Sequence, residues 1–498
     1  MNWLTLLPVL TCLFVFSINC ALWRSYYWQK TFHIVGSFLL LFATIFVFYV
    51  TYHQEMLVLQ VGGYRAPFGV SFVVDLLGAL MLLLTGITSI CVSMYSFSDI
   101  THKMQRSGFY LAYWVLLMGI CGAFSTGDLF NLYVWFEIIL IASFILLVLD
   151  NKKAQIDGTM KYVSVNLVAT MLMLMAIAML YGITGTLNLA DMAQRIHAHS
   201  SSGILVAVVL LLTLAFSIKA ALFPLFFWLP ASYHTANVAT AAICAGMLTK
   251  VGVYALIRLM TLILPGNHYI LTFLLVSSAL TMLTGVLGAA SQFQFRRLLS
   301  FHIVSQIGYM IMGLAVYTPL AIAGSIYFMM HNVIVKTNLF LISGVCTRTG
   351  RANDIRRLGG LYLKFPILSF LFFVSAFSMA GIPPLSGFWG KMILLQSTLE
   401  TSHYIVASVS IIVGFFTLYS MVKIWNQVFW KAEPVAEEAR LSLGRRQALF
   451  WYAPIIVLVI ISLSMGFFPG PYFTLASRIS TQLLNPEIYI SAVMGGVQ

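Results

Sequence analysis

Long apolar runs separated by short polar stretches cover nearly the whole chain. A helix needs about 20 apolar residues to cross the hydrocarbon core of a bilayer. Fourteen runs meet or approach that length: 2–22, 32–52, 70–95, 107–125, 129–149, 160–183, 204–229, 236–262, 270–290, 299–317, 320–346, 365–396, 403–427 and 447–470. The pattern predicts an all-α polytopic membrane protein with fourteen transmembrane helices, forming a single transmembrane domain over 1–498. The longest polar stretch, 431–446, reads as a cytoplasmic loop. The first run starts at Met1 with no basic region or small-residue cleavage site, so it is expected to stay as a helix.

Composition agrees with this pattern. Charged residues make up 8% of the 498, against about 25% in ordinary soluble domains, and the mean hydropathy is +0.96. A soluble enzyme, a disulfide scaffold and a disordered chain are all excluded, because each needs polar surface that this sequence lacks. The six cysteines, Cys12, Cys20, Cys91, Cys121, Cys244 and Cys346, fall singly in or beside apolar runs with no metal-type spacing. They read as small buried hydrophobes.

The net charge of +13 would suit an acidic partner such as nucleic acid, but its distribution points elsewhere. Loops after odd-numbered runs hold eighteen Lys and Arg residues, and the opposite side holds three, Arg65, Arg195 and Arg478. Such asymmetry marks the cytoplasmic side. It places both termini outside and leaves no nucleic-acid surface.

Six basic residues remain inside the runs. Arg258 and Lys423 lie near run ends and read as interface residues, whereas Lys219, Lys250, Lys336 and Lys391 lie deeper. Among the acids, Glu137 sits well inside run 5, Asp75 near the outer end of run 3, and Asp128 just before run 5. Intramembrane charges are costly and read as functional by default. A buried ion pair could tie one lysine to Glu137, but there are too few deep acids for four. Desolvation favours the neutral amine, so a row of such lysines reads as a proton relay.

Two runs are interrupted. Run 7 carries Lys219-Ala-Ala-Leu-Phe-Pro224-Leu-Phe-Phe-Trp228-Leu-Pro230, and run 12 carries Gly381-Ile-Pro383-Pro384-Leu-Ser-Gly387-Phe-Trp-Gly390-Lys391. Proline breaks a helix, and non-helical backbone at membrane depth belongs beside a buried or wet cavity. A simple kink is the alternative. Runs 4–8 and 9–13 are each five helices, so the second unit must be inverted. Lys219 and Lys391 are 172 residues apart, Lys250 and Lys423 173. Broken helices in two inverted halves mark transporter pathways.

Several segments resemble a known family. These are Gly62-Gly-Tyr-Arg-Ala-Pro-Phe-Gly69, Gly127-Asp-Leu-Phe-Asn-Leu-Tyr-Val-Trp-Phe-Glu137, Leu248-Thr-Lys250-Val-Gly-Val-Tyr-Ala-Leu-Ile-Arg258, His331-Asn-Val-Ile-Val-Lys336 and Ala380-Gly-Ile-Pro-Pro-Leu-Ser-Gly-Phe-Trp-Gly-Lys391. The chain resembles the D-type subunits of Mrp-type cation/proton antiporters, which belong with the antiporter-like subunits of respiratory NADH:quinone oxidoreductase. The resemblance implies a proton-translocating subunit of a hetero-oligomeric Na+/H+ antiporter, with other membrane subunits as partners. It implies that Glu137 and Lys219 form a charge pair and that Lys250 is the central link. His331 and Lys336 continue the relay, and Lys391 ends the second half-pathway.

His331 and Lys336 are separated by about 7.5 Å of rise and about 140° of rotation, so water must help connect them. A core histidine bonded to a backbone carbonyl is the other reading of His331. After Pro230 the family's proline-rich run is replaced by Ala231–Ala242 without proline, and the role of His234 there stays open. Competing readings are a proton-pumping membrane subunit of a redox enzyme, such as NADH:quinone oxidoreductase or a membrane-bound hydrogenase, and a purely structural scaffold. The chain has no nucleotide fingerprint and no Fe–S cysteine set, so no cofactor is expected. No carboxylate cluster suggests an intramembrane metal site.

Overall fold

The structure is a computed structural model describing residues 3–198, 203–432 and 445–495. Helices occupy the predicted runs in order. They are α1 (Leu7–Ala21), α2 (Tyr26–Gln54), α3 (Leu76–Asp99), α4 (Phe109–Ser125), α5 (Leu129–Leu147) and α6 (Lys153–Thr184). Next come α7a (Gly203–Ala220), α7b (Trp228–Ser232), α8 (Val238–Ile263), α9 (His268–Ser291), α10 (Phe295–Val316) and α11 (Pro319–Thr349). The series ends with α12a (Pro366–Ala380), α12b (Ser386–Glu400), α13 (Tyr404–Trp430) and α14 (Arg445–Phe467). Among the described residues, twelve helices are long and apolar enough to cross a membrane, and α4 and α12a are shorter apolar helices. Of the expected loop 431–446, residues 433–444 lie outside the described residues.

The chain is mostly helical but not wholly so. Strand β1 (Met56–Gln60) pairs antiparallel with β2 (Ser71–Asp75), Met56 opposite Asp75 and Gln60 opposite Ser71. Run 3 therefore begins as a strand, and its helix starts at Leu76 rather than within 70–75. Asp75 sets that boundary, because its carboxylate accepts from the Gly78 N–H at 2.9 Å as an N-cap. Short helices at Leu189–Ala198, Pro469–Leu483 and Pro486–Met494 were not expected from the apolar pattern.

Burial sorts the helices into layers. The apolar stretches of α8 and α11 are 100% buried and that of α10 94%, against 33% for α1 and 39% for α6. Lys250, His331 and Lys336 thus ride on the central helices, away from lipid. Small residues let these helices approach. A Cβ on Gly246 of α8 would meet the Thr337 hydroxyl of α11.

Helix α3 is tied to the central helices by an ion pair at each end. Asp75 accepts from Arg258 Nη2 at 2.8 Å, joining α3 to the end of α8. Asp99 pairs with Arg348 at the end of α11. Arg258 is only 7% exposed and also meets the Tyr254 hydroxyl at 3.2 Å. This corrects the expectation of an interface residue: a buried carboxylate removes the need to reach water. Lys423 is half-buried and donates to the Ala290 and Gln292 carbonyls at 2.6 and 2.8 Å, at the C-terminal end of α9, where a cation is favoured.

Candidate functional site

The first interrupted helix ends at Ala220, and Ala221 takes a left-handed conformation with φ of 63°. The break runs from Ala221 to Phe227 and contains Pro224. Pro230 is not part of it. It sits in the first turn of α7b, where a missing N–H is tolerated. The indole of Trp228 donates to the Ile218 carbonyl at 3.1 Å and ties α7b back to α7a.

Lys219 lies on the last turn before this break and is buried. Its expected pairing with Glu137 of α5 is indirect. Lys219 Nζ donates to Thr170 Oγ1 at 3.1 Å, and Thr170 donates to Glu137 Oε1 at 2.7 Å. The ammonium also lies 5.6 Å from the Phe136 ring centroid. Thr170 is on α6 and was missed at sequence level. A signal existed, because Tyr162, Asn166 and Thr170 recur every four residues and so share one face of α6. A cavity of about 20 Å3 beside them is lined by Tyr162, Asn166, Lys219, Trp228 and Leu248. It is large enough for one water molecule.

Lys250 lies on α8 between two π-helical turns, Cys244–Leu248 and Leu259–Ile263. It is fully buried, and its Nζ donates to the Ala245 carbonyl at 2.7 Å. Such turns loosen the helical hydrogen-bond ladder and are frequent at functional sites. On α11, Lys336 is also fully buried, and among the described residues its Nζ has no hydrogen-bond partner. Among the described residues, His302 and Gln306 of α10 and Asn332 of α11 add further buried polar atoms without a hydrogen-bond partner, including both ring nitrogens of His302. None of the three was singled out from the sequence, although each is polar in an apolar run.

The second break runs from Gly381, with φ of 88°, to Leu385, and contains Pro383 and Pro384. Gly387 belongs to the first turn of α12b rather than to the break. Its role is close approach: a Cβ there would collide with the Ser378 carbonyl and lie 3.0 Å from the His331 ring. Lys391 follows the break and is half-buried. Its Nζ donates to the Met379 and Ala380 carbonyls at 3.0 and 2.9 Å, groups that lack helical partners at the end of α12a.

Ala221 and Gly381, which end the two half-helices, are 160 residues apart. The spacing of Lys219 and Lys391, 172 residues, is longer than that. One lysine precedes its break and the other follows it.

His331 is not held by a backbone carbonyl. Its Nδ1 meets Ser386 Oγ at 2.8 Å, and Ser386 meets Ser378 at 2.8 Å and Ser462 of α14 at 3.0 Å. Among the described residues His331 Nε2 has no partner. Through its Ser386 contact His331 therefore faces α12b. His234 makes a local contact from Nδ1 to the Pro230 carbonyl at 2.8 Å, and Asp128 caps α5 by accepting from the Asn131 N–H at 2.8 Å. The segment without proline holds the end of α7b, a turn, and the Asn237-capped start of α8.

A polytopic helical bundle with two broken helices and a line of buried lysines defines an antiporter-like membrane protein. The chain belongs to the family described as NADH:quinone oxidoreductase/Mrp antiporter, TM, which matches residues 126–417. It is 41% identical over 501 aligned residues to a protein of Alkalihalophilus pseudofirmus (strain ATCC BAA-2126 / JCM 17055 / OF4) that is named as the D subunit of a Na(+)/H(+) antiporter. That alignment covers 99% of this chain and 100% of the relative. A Bacillus subtilis (strain 168) protein of the same name is 36% identical over 88% of each chain. Among solved structures, a chain of the Mrp complex from Dietzia sp. DQ12-45-1b superposes with a TM-score of 0.91 at 29% identity, covering 99% of this chain and 100% of that one.

Proposed function

We propose that this chain is the proton-translocating subunit of a multisubunit Na+/H+ antiporter, moving H+ through Glu137, Lys219, Lys250, His331, Lys336 and Lys391 in exchange for exported Na+. In this reading all fourteen helices cross a bacterial plasma membrane and both termini face outside. Residues 107–262 and 270–427 form two inverted five-helix units. The partners are other membrane subunits of the complex, and the chain acts as a secondary transporter component rather than an enzyme. The names of its relatives and the eighteen-to-three loop asymmetry support this reading.

The observation that carries it is the arrangement of the half-buried Glu137 with the buried Thr170 and Lys219 against the α7 break. While the acid is engaged, Lys219 keeps its proton. When α5 or α7a shifts, the ammonium loses its counter-charge and sheds its proton toward Lys250, with one water in the adjoining cavity as the bridge. Lys336, His331 and Lys391 carry the charge onward to the second break. Sodium movement is coupled electrostatically to these charge shifts.

The test is Na+-driven collapse of a pH gradient in everted vesicles containing the full complex. Glu137→Ala and Lys219→Ala are each expected to lower the rate at least roughly tenfold, and near-normal activity in either overturns the reading. The family description also names NADH:quinone oxidoreductase, so a redox-driven pump component is the second reading. Proteins that co-purify in mild detergent separate the two: redox partners favour the pump, small membrane proteins the antiporter.

A further inference from the structure

Glu137 and Lys219 do not touch in this structure, and the group between them is a single hydroxyl on a third helix. Resting on the function proposed above, we infer that Thr170 is itself a proton carrier, and that the acid and the amine exchange a proton only through its Oγ1. The geometry dictates the direction of each bond. An ammonium can only donate and an ionised carboxylate can only accept. The hydroxyl must therefore receive from Lys219, at 3.1 Å, and give its one proton to Glu137, at 2.7 Å.

This arrangement supports a balanced transfer. The Lys219 Nζ–H bond breaks as that proton binds a lone pair of Thr170 Oγ1. In the same event the original Thr170 O–H bond breaks and its proton binds Glu137 Oε1. The products are a neutral amine, an intact hydroxyl and a neutral carboxylic acid. Both hydrogen bonds survive with their polarity reversed: Glu137 now donates to Thr170, and Thr170 donates to the Lys219 lone pair. The triple is neutral before and after, so the shift leaves no uncompensated charge in the low-dielectric interior, where one is most costly.

Thr170 is 4% exposed and Lys219 8%, while Glu137 is half-buried. The helix origin of the carrier has a consequence. Glu137 is on α5, Thr170 on α6 and Lys219 on α7a, so displacing any one of the three helices opens the relay. That is a more stringent condition than separating two partners.

The experiment uses the full complex in everted vesicles, with assembly of each variant checked by co-purification of its partner subunits. Thr170→Val keeps the shape and removes the hydroxyl, and Thr170→Ser keeps the hydroxyl and removes a methyl. Thr170→Val is expected to fall at least about tenfold, while Thr170→Ser keeps at least about half the wild-type rate. Should Thr170→Val fail to assemble, Thr170→Ala is measured against the same Ser variant, with a loss of at least about fivefold expected. A hydroxyl-free variant within about twofold of wild type overturns the inference, as does a Ser variant as impaired as the hydroxyl-free one. A dead Glu137→Ala beside a normal Thr170→Val removes the carrier alone. A normal Glu137→Ala removes the functional reading as well.

Discussion

At the first helix break the lysine comes before the bend, on α7a, and faces a carboxylate across the Thr170 hydroxyl. At the second the lysine comes after the bend, on α12b, and its ammonium rests on the Met379 and Ala380 carbonyls. Both breaks start at a left-handed residue and contain proline, but among the described residues only the first has a side-chain acid linked to its lysine. Backbone carbonyls at a helix end cannot swing away without unwinding the helix. On the proposed function, the first site would switch and the second would receive. In the second half, His331 has its Nδ1 anchored to Ser386 while, among the described residues, its Nε2 has no partner.

The strongest way to break this contrast is to fix the charge. Arginine does not deprotonate in proteins. Lys219→Arg is expected to keep the complex assembled while lowering antiport in everted vesicles by roughly a hundredfold. If Lys219→Arg transports normally, the first site does not release a proton. A smaller effect probes the serine cluster. Ser386→Ala should slow antiport by about fivefold, the equivalent of one lost hydrogen bond. In a His331→Ala background it should slow antiport no further, because the two act as one unit. Independent losses in that double-mutant cycle would separate Ser386 from His331.

The smallest effect compares the backbones of the two breaks. A left-handed conformation costs a non-glycine residue roughly 1–2 kcal/mol. Ala221→Gly should therefore raise the stability of the assembled complex by about 1 kcal/mol. Gly381→Ala should lower it by about as much or more, since its Cβ would also lie 3.0 Å from Lys391 Cδ. Thermal unfolding midpoints of the purified variants check both signs.

Much of the architecture was legible without coordinates. Runs of about 20 apolar residues locate helices because the bilayer sets a length, and Pro224, Pro383 and Pro384 mark breaks because proline lacks an N–H. The buried lysines stood out for the same reason: an apolar run makes any charge conspicuous. Misreadings arose where a partner was remote. Arg258 resembles an interface residue until Asp75, 183 positions away, is placed beside it. Asp99 was passed over because its partner Arg348 is 249 positions distant. Strand β2 was hidden at the start of an apolar run that hydropathy cannot distinguish from a helix, and β1 fell between two runs.

The sequence by itself determined that this chain lives in a membrane, where its helices lie, which two are broken, and which lysines are out of place. Those properties depend on local chemistry: the hydropathy of a window, the geometry of proline, and the cost of a charge in hydrocarbon. Only the tertiary structure decided what each charge meets. It placed Thr170 between Glu137 and Lys219, set the two break-site lysines on opposite sides of their bends, and joined His331 through Ser386 to a serine on α14. The physical reason is range. A hydrogen bond acts over about 3 Å, and no spacing rule in one dimension shows which of many distant side chains will come that close.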